Sequence, residues 1–153
     1  MMPAASSMLF RAILVVVGLL TVLIGVNVGF GGILTLGLQG QVSFLEVTNE
    51  PAFLVRDSHI RYFGGLYGGV GLFLILAATD PARYRSALNL IFALIIIGGL
   101  ARFTMLRPSV VFGPDIITSL LAELALMPIL FVWLLRMRPA AHPAPAIAAT
   151  ARA

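Results

Sequence analysis

Residues 61–80 read RYFGGLYGGVGLFLILAATD, in which 18 uncharged residues separate Arg61 from Asp80. A helix rises about 1.5 Å per residue, and a transmembrane helix needs about 20 mostly apolar residues. The backbone of a membrane-spanning segment must also satisfy its own hydrogen bonds, as an α-helix does. This stretch therefore predicts a transmembrane helix at about residues 60–78.

The composition of the whole chain is typical of a membrane protein. Hydrophobic residues make up 60% of the 153 residues and charged residues only 10%, whereas soluble proteins contain roughly 25% charged residues. The ten basic residues are all arginines, scattered singly at the ends of apolar runs. Nucleic-acid binding, which uses a basic patch, is therefore not predicted. The chain has no cysteine, which excludes disulfides and thiolate metal ligands.

Charged residues also delimit three further spans. The first helix is predicted at about residues 9–28, because its uncharged run exceeds the apolar region of a typical signal peptide and no Ala-x-Ala site follows. The third helix is predicted at about residues 81–105 and the fourth at about residues 115–135, where Pro128 should introduce a kink. We therefore predict an all-α bundle of four transmembrane helices, in one membrane domain at residues 1–138.

Three segments lie outside the predicted spans. Residues 29–44 contain five glycines, which weaken a further span, so we expect this segment to lie at the membrane interface or to re-enter the membrane in part. Residues 46–59 follow as a predicted polar loop. The Ala/Pro-rich residues 139–153 lack an amphipathic period and are predicted to form a disordered cytoplasmic tail.

The distribution of arginines predicts the orientation of the bundle. Four spans place four arginines on the side of the long first loop and six on the side of both termini, namely Arg11, Arg83, Arg85, Arg136, Arg138 and Arg152. Arginine and lysine are enriched on the cytoplasmic side of membrane proteins. Both termini are therefore predicted to be cytoplasmic, and the glycine-rich segment between helices 1 and 2 extracytoplasmic.

Three sequence features resemble a known family. The string RYFGGLY opens the second helix at residues 61–67, GGLAR closes the third at residues 98–102, and Glu123-Leu124 precedes Pro128 in the fourth. Over roughly residues 11–135 the chain resembles a bacterial family of small four-helix membrane proteins catalogued as a domain of unknown function. It is also loosely similar to the DoxX-like group. The resemblance implies the four-helix fold and a bacterial inner-membrane location, and it brings no catalytic residue.

Glycines on the second and third helices predict close helix packing. Three of them recur at positions i, i+4 and i+7, and small residues at this spacing let another helix approach closely. The packing partner is either another helix of the bundle or an oligomeric or partner protein. The glycines are Gly64, Gly65, Gly68, Gly69 and Gly71 on the second helix, and Gly98 and Gly99 on the third.

Charged residues within the predicted spans form the main candidate site. Glu123 is the deepest charge in the chain, and an ionised carboxylate at that depth requires a partner or water. Antiparallel helices would bring Arg61 and Arg102 to a similar depth in the outer leaflet. Two arginines against one glutamate would leave a surplus positive charge, which suits an anionic group such as a lipid phosphate. The full hypothesis comprises Arg61, Arg102 and Glu123, with Asp57, His59 and Tyr62 at the mouth of the cluster.

Two alternatives to this ligand site remain open, namely an internal salt bridge that binds nothing and a path for protons or ions. We predict no catalytic residue, because Asp57, Ser58 and His59 are neighbours in the chain, and adjacency does not provide the geometry of a triad. No metal or cofactor is predicted, since His142 lies on the opposite side from His59 and no haem ligands are apparent. Tyr67 is interpreted as an interfacial anchor.

Three functional hypotheses follow from these features. The first is a non-catalytic accessory or interaction subunit of the inner membrane, whose partner is another membrane protein or a second copy of the chain. The second is a binder or carrier of a small amphiphilic or anionic ligand, such as a lipid head group, at the arginine and glutamate cluster. The third is a membrane enzyme that acts on a lipid or a quinone.

Overall fold

The computed structural model of the chain describes residues 4–38 and 46–137, and the predicted disordered tail lies outside these residues. The described part contains no strand. In chain order its elements are α1 (Ala4–Gly31), a 3-10 segment (Gly32–Leu38), α2 (Glu50–Thr79), α3 (Arg85–Ala101), a 3-10 turn (Arg102–Met105), α4 (Pro108–Val111), α5 (Pro114–Leu121), a π-helical turn (Ala122–Leu126) and α6 (Met127–Arg136).

Four helical segments are long and apolar enough to cross a membrane, and the predicted four-helix bundle is confirmed. The fourth segment consists of α5, the π-helical turn and α6, which follow one another without a break. The four segments are Ser7–Thr35, Glu50–Thr79, Arg85–Met105 and Pro114–Arg136.

Helix α2 begins ten residues earlier than the sequence predicted. The side chain of Asn49 accepts a hydrogen bond from the backbone nitrogen of Ala52 at 3.1 Å, and Pro51 lies in the first turn. An asparagine N-cap and an early proline both favour a helix start. The prediction of a polar loop at residues 46–59 is therefore wrong from Glu50 onward, because a helix can carry polar residues where it extends beyond the hydrocarbon.

The third and fourth spans also differ in detail from the prediction. Residues 81–84 form a turn, in which the Asp80 side chain accepts a hydrogen bond from the backbone nitrogen of Arg83 at 3.2 Å, and α3 begins only at Arg85. In the fourth span the π-helical turn Ala122–Leu126 directly precedes Pro128. Proline has no N–H to donate to the preceding turn, and a π-helical turn is one way for a helix to accommodate that loss.

Glycines bring α1 and α2 together along their length. A Cβ added at Gly25 would lie 2.7 Å from Cα of Gly68, and one added at Gly71 would lie 2.6 Å from the carbonyl oxygen of Gly18. Neither position has room for a methyl group. Because lipid is as apolar as a helix surface, such close backbone packing stabilises a helix pair in a membrane. The α1–α2 hairpin is the most extensive helix pair in the described structure.

A buried apolar core joins this hairpin to the hairpin of α3 and α6. The core lies at the end of the bundle that carries the start of α1 and the end of α6, which we call the terminal end. Its completely buried side chains include Phe10, Leu14, Leu74, Leu88, Phe92, Leu130 and Leu134. The opposite, distal end contains the 3-10 segments and α4, and α2 and α3 touch at only a few points along their length.

Three arginines bind the C-terminal ends of neighbouring helices. Arg11 donates to the carbonyl of Thr79 at the end of α2, and Arg85 donates to the carbonyl of Leu135 at the end of α6. Arg61 donates to the carbonyls of Gly29 and Phe30 at the end of α1. The last carbonyls of a helix lack partners within that helix and carry partial negative charge. These arginines therefore fix helix ends as well as setting the charge distribution that predicts orientation.

Candidate functional site

The predicted cluster consists of two separate ion pairs. Arg61 pairs with Asp57 on its own helix at 2.6 Å, and Arg102 pairs with Glu123 across two helices at 2.6 Å. The predicted single cluster around Glu123 is therefore wrong for Arg61, which pairs with Asp57 one turn away on α2. Each arginine has its own carboxylate, so the surplus positive charge that would favour an anion is absent from this set of residues.

Asp57 and Arg61 hold the end of α1. Helix α1 ends at Gly31, and the next residue, Gly32, has a φ of 67°, which lies in the left-handed region that favours glycine. The Asp57 carboxylate accepts a hydrogen bond from the backbone nitrogen of Ile33 at 2.8 Å, and Arg61 donates to carbonyls in the last turn of α1. The pair thus satisfies both the donor and the acceptors that the helix end leaves free. Holding the end of α1 is therefore a sufficient structural role for both Asp57 and Arg61.

His59 and Tyr62, the other predicted mouth residues, do not join either ion pair. The Nδ1 atom of His59 lies 2.7 Å from the carbonyl oxygen of Val55 in its own helix, and the side chain is exposed. Tyr62 is also exposed and makes an edge-to-face contact with Phe63. Among the described residues, no three His, Cys, Asp or Glu side chains are grouped closely enough to hold a metal ion.

Arg102 and Glu123 form a two-point contact inside the membrane-spanning region. The Nε atom of Arg102 donates to Oε2 of Glu123 at 2.7 Å, and Nη2 donates to Oε1 at 2.6 Å. The glutamate side chain is only 9% exposed, whereas the arginine side chain is 35% exposed. Such a geometry is the strongest form of an arginine–carboxylate pair. It connects the end of α3 to the π-helical turn of the fourth span.

Gly99 and the π-helical turn position this pair. A Cβ added at Gly99 would lie 2.8 Å from Cβ of Glu123, so α3 approaches the fourth span as closely as a glycine allows. Glu123 itself belongs to the π-helical turn Ala122–Leu126. Turns of this kind occur within helices, often at functional sites.

Tyr67 of α2 lies beside the pair, which the sequence did not predict. It lies within electrostatic reach of both Arg102 and Glu123 and keeps 44% of its surface exposed. The sequence contained only a coarse signal, because the antiparallel order of α2 and α3 brings part of α2 level with the end of α3. The depth of Tyr67 along α2 and the rotation of α2 about its own axis together decide that Tyr67, rather than Arg61, lies near Glu123.

Both ends of α3 lie near α2. Tyr84, just before α3, packs edge-to-face on Phe73 of α2, and Arg102, just after α3, interacts electrostatically with Tyr67. Positions spaced by three or four residues lie on one face of a helix. Gly98 is one of the positions that this spacing selects between Tyr84 and Arg102. No described atom lies within 4 Å of a Cβ added at Gly98. We name the space bounded by Tyr67, Gly98 and Arg102 the distal groove.

The guanidinium of Arg102 has donors that Glu123 does not use. The pair with Glu123 uses Nε and Nη2, and no acceptor for Nη1 is found among residues 4–38 and 46–137. Arginine carries five N–H donors, two of them on Nη1. The distal groove therefore presents hydrogen-bond donors next to a buried, neutralised ion pair.

The seven predicted packing glycines fall into two groups. Gly64 and Gly71 have no room for a Cβ against α1, Gly99 has none against the fourth span, and the backbone of Gly68 lies against Gly25 of α1. A Cβ added at Gly65, Gly69 or Gly98, and also one added at Gly68, would meet no described neighbouring atom within 4 Å. The second group therefore leaves helix backbone accessible on the surface of the bundle.

Comparison with known proteins identifies a family but no characterised relative. No curated protein and no solved structure matches the chain. The family model described as "Domain of unknown function (DUF4345)" matches residues 9–134, which cover all four membrane-spanning segments apart from their outermost residues. The chain is therefore a multi-pass, four-helix membrane protein that belongs to this family of unknown function.

Proposed function

We propose that the protein is a non-catalytic binding protein, which holds the polar end of a membrane amphiphile in the distal groove. The observation that carries the proposal is the partly exposed Arg102, whose Nη1 donors are not used by Glu123 and which follows the open surface at Gly98 by one helical turn. Hydrogen-bond donors are scarce inside a membrane, so an amphiphile with an acceptor oxygen gains by reaching them. The chain of the amphiphile would lie along the backbone at Gly98.

The matched experiment compares two added leucine side chains. We expect Gly98→Leu to fill the distal groove and to lower the retention of its ligand at least tenfold, equivalent to about 1.4 kcal/mol of binding free energy. Ala12→Leu is the control, because Ala12 lies exposed on α1, in the other hairpin. The measurement is native mass spectrometry of each protein released from nanodiscs made with a total membrane lipid extract.

The outcomes of this experiment separate specific binding from general lipid adhesion. An amphiphile that the wild type and Ala12→Leu retain at fixed stoichiometry, and that Gly98→Leu loses, supports the proposal. If all three proteins carry the same lipids in the same amounts, the distal groove is not a binding site. Circular dichroism of each variant in detergent verifies that the helices are intact.

We further infer that both termini lie in the cytoplasm and that the protein resides in the inner membrane of a bacterium. The support for the orientation is the excess of arginines on the side of the termini, six against four, and the support for the location is the resemblance to a bacterial family of membrane proteins. Because the chain has no cysteine, single cysteines report accessibility directly. We expect a membrane-impermeant maleimide to label Ser109→Cys in intact spheroplasts, and Thr150→Cys only after the membrane is permeabilised. The reverse labelling pattern would show the opposite orientation.

An interaction subunit is the second candidate function. The observation that favours it is the accessible backbone at Gly65 and Gly69, one helical turn apart on a face of α2 that also exposes Tyr62 and Leu72. Within this same molecule, glycines pair α1 with α2, and a second small-residue stripe is suited to a second copy of the chain.

The test of this second candidate is the oligomeric state in a bilayer. Energy transfer between differently labelled copies in liposomes should be above that of a monomeric control, and Gly69→Leu should abolish it while leaving the helical content unchanged. Energy transfer that is equal for the wild type and the variant would exclude this face of α2 as the interface.

A further inference from the structure

We propose that the ligand of the distal groove is an uncharged amphiphile with a carbonyl oxygen at its polar end; this inference rests on the proposed binding function. The sequence predicted an anionic ligand, because it assigned two arginines to one glutamate. The structure divides these charges into the pairs Arg61–Asp57 and Arg102–Glu123. The charge of the ligand that the groove favours therefore depends on these two ion pairs.

Charge balance favours a neutral ligand. Arg102 and Glu123 together carry no net charge, and the glutamate side chain is 9% exposed. An anion that enters such a site loses its hydration and meets no unpaired positive charge, which is costly in a medium of low dielectric constant. An anion would also compete with Glu123 for Arg102 and leave the buried carboxylate without its partner. A neutral acceptor avoids both penalties.

Arg61 and Arg107, which also lie at the distal end, do not change this balance. Asp57 neutralises Arg61, and Arg61 also donates to the carbonyls at the end of α1. Arg107 follows the 3-10 turn and is exposed, where water and salt screen its charge.

The hydrogen-bonding groups of the groove specify an acceptor. Nη1 of Arg102 is a donor only, and Tyr67 contributes a hydroxyl that can donate. A carbonyl oxygen has two lone pairs and can accept from both groups at once, as a ketone, an ester or a quinone would. The open surface at Gly98, one turn before Arg102, leaves room for the apolar chain that continues from this carbonyl.

The test uses two probes that have the same chain and differ in the charge of the head group and in one methyl group. Methyl oleate and oleate have the same chain and both carry a carbonyl carbon, but oleate is ionised at a sufficiently alkaline pH. We expect the full-length protein in phosphatidylcholine nanodiscs to bind labelled methyl oleate at least about tenfold more tightly than oleate under that condition. We also expect Gly98→Leu to weaken methyl oleate binding at least about tenfold, and Tyr67→Phe to weaken it several-fold.

The results test separately whether the ligand is neutral and whether it binds in the distal groove. Equal or tighter binding of oleate that remains sensitive to Gly98→Leu would overturn the neutral class and leave the distal groove as a binding site. Binding of neither probe, with an amphiphile still lost from Gly98→Leu in native mass spectrometry, would also overturn the class alone. Binding of both probes that Gly98→Leu does not change would overturn the proposed function together with this inference. Ala12→Leu is again the control and should bind methyl oleate like the wild type.

Discussion

Replacing Arg102 with leucine should lower the free energy of unfolding by about 3 kcal/mol or more, the largest effect that we expect from a single substitution. The variant removes both hydrogen bonds to Glu123 and leaves its carboxylate buried, 9% exposed, without a partner. A buried carboxylate in that position either stays charged at high cost or takes up a proton. Unfolding of the detergent-solubilised protein by a denaturing detergent, monitored by circular dichroism, measures the change.

A double substitution separates the loss of the pair from the loss of the arginine side chain. In Arg102→Leu/Glu123→Leu no charge remains in the membrane-spanning region at this site, and replacing a buried pair by apolar residues is often neutral or stabilising. We therefore expect the double variant to recover most of the stability that Arg102→Leu loses. If the double variant is as unstable as the single variant, the destabilisation comes from lost packing and not from the unpaired carboxylate.

Replacing Gly25 with leucine should lower the free energy of unfolding by about 3 kcal/mol, at the upper end of the range for overpacked sites. The added Cβ would meet Cα of Gly68 at 2.7 Å and the carbonyl oxygen of Gly64 at 2.8 Å. Both obstacles are backbone atoms, which cannot rotate away as a side chain can. The helices α1 and α2 would have to separate, and their contact along the hairpin would be lost.

Ala12→Leu on the same helix is the matched control for this second prediction. Ala12 is exposed to the surroundings of the bundle, so an added leucine there contacts lipid or detergent and should leave the stability within about 0.5 kcal/mol of the wild type. The same denaturing-detergent titration measures both variants. Equal stability of Gly25→Leu and Ala12→Leu would show that α1 and α2 are not packed through their glycines.

The ends of the helices were less predictable than their number. The onset of α2 at Glu50 depends on the side chain of Asn49, which lies within the predicted polar loop. Hydropathy cannot detect such an extension, because the first turns of α2 carry polar residues. The start of α3 at Arg85 has a similar cause, since Asp80 binds the backbone of the turn that precedes it.

The candidate site was predictable only in part. The depth of Glu123 in the sequence identified it as a charge that needs a partner, and Arg102 lies at the matching depth on the adjacent span. The partners of Arg61 could not be assigned from depth, because Asp57 on the same helix and the carbonyls at the end of α1 both bind it. Whether Arg61 reaches these carbonyls is decided by how α1 and α2 are aligned along each other.

The sequence alone was sufficient to determine that the chain is a membrane protein with four apolar spans. The number of spans follows from the thickness of the hydrocarbon core and from the need of the backbone to satisfy its hydrogen bonds, both of which depend on local composition. Only the tertiary structure decided which glycines pack inside the bundle, how the charges divide into two pairs, and that Tyr67 lies near Arg102. Asp57 and Arg61 pair within one helix, but the glycine contacts, the Arg102–Glu123 pair and the position of Tyr67 depend on the rotation of a helix about its axis. Hydropathy does not encode that rotation, because lipid and the interior of the bundle are almost equally apolar.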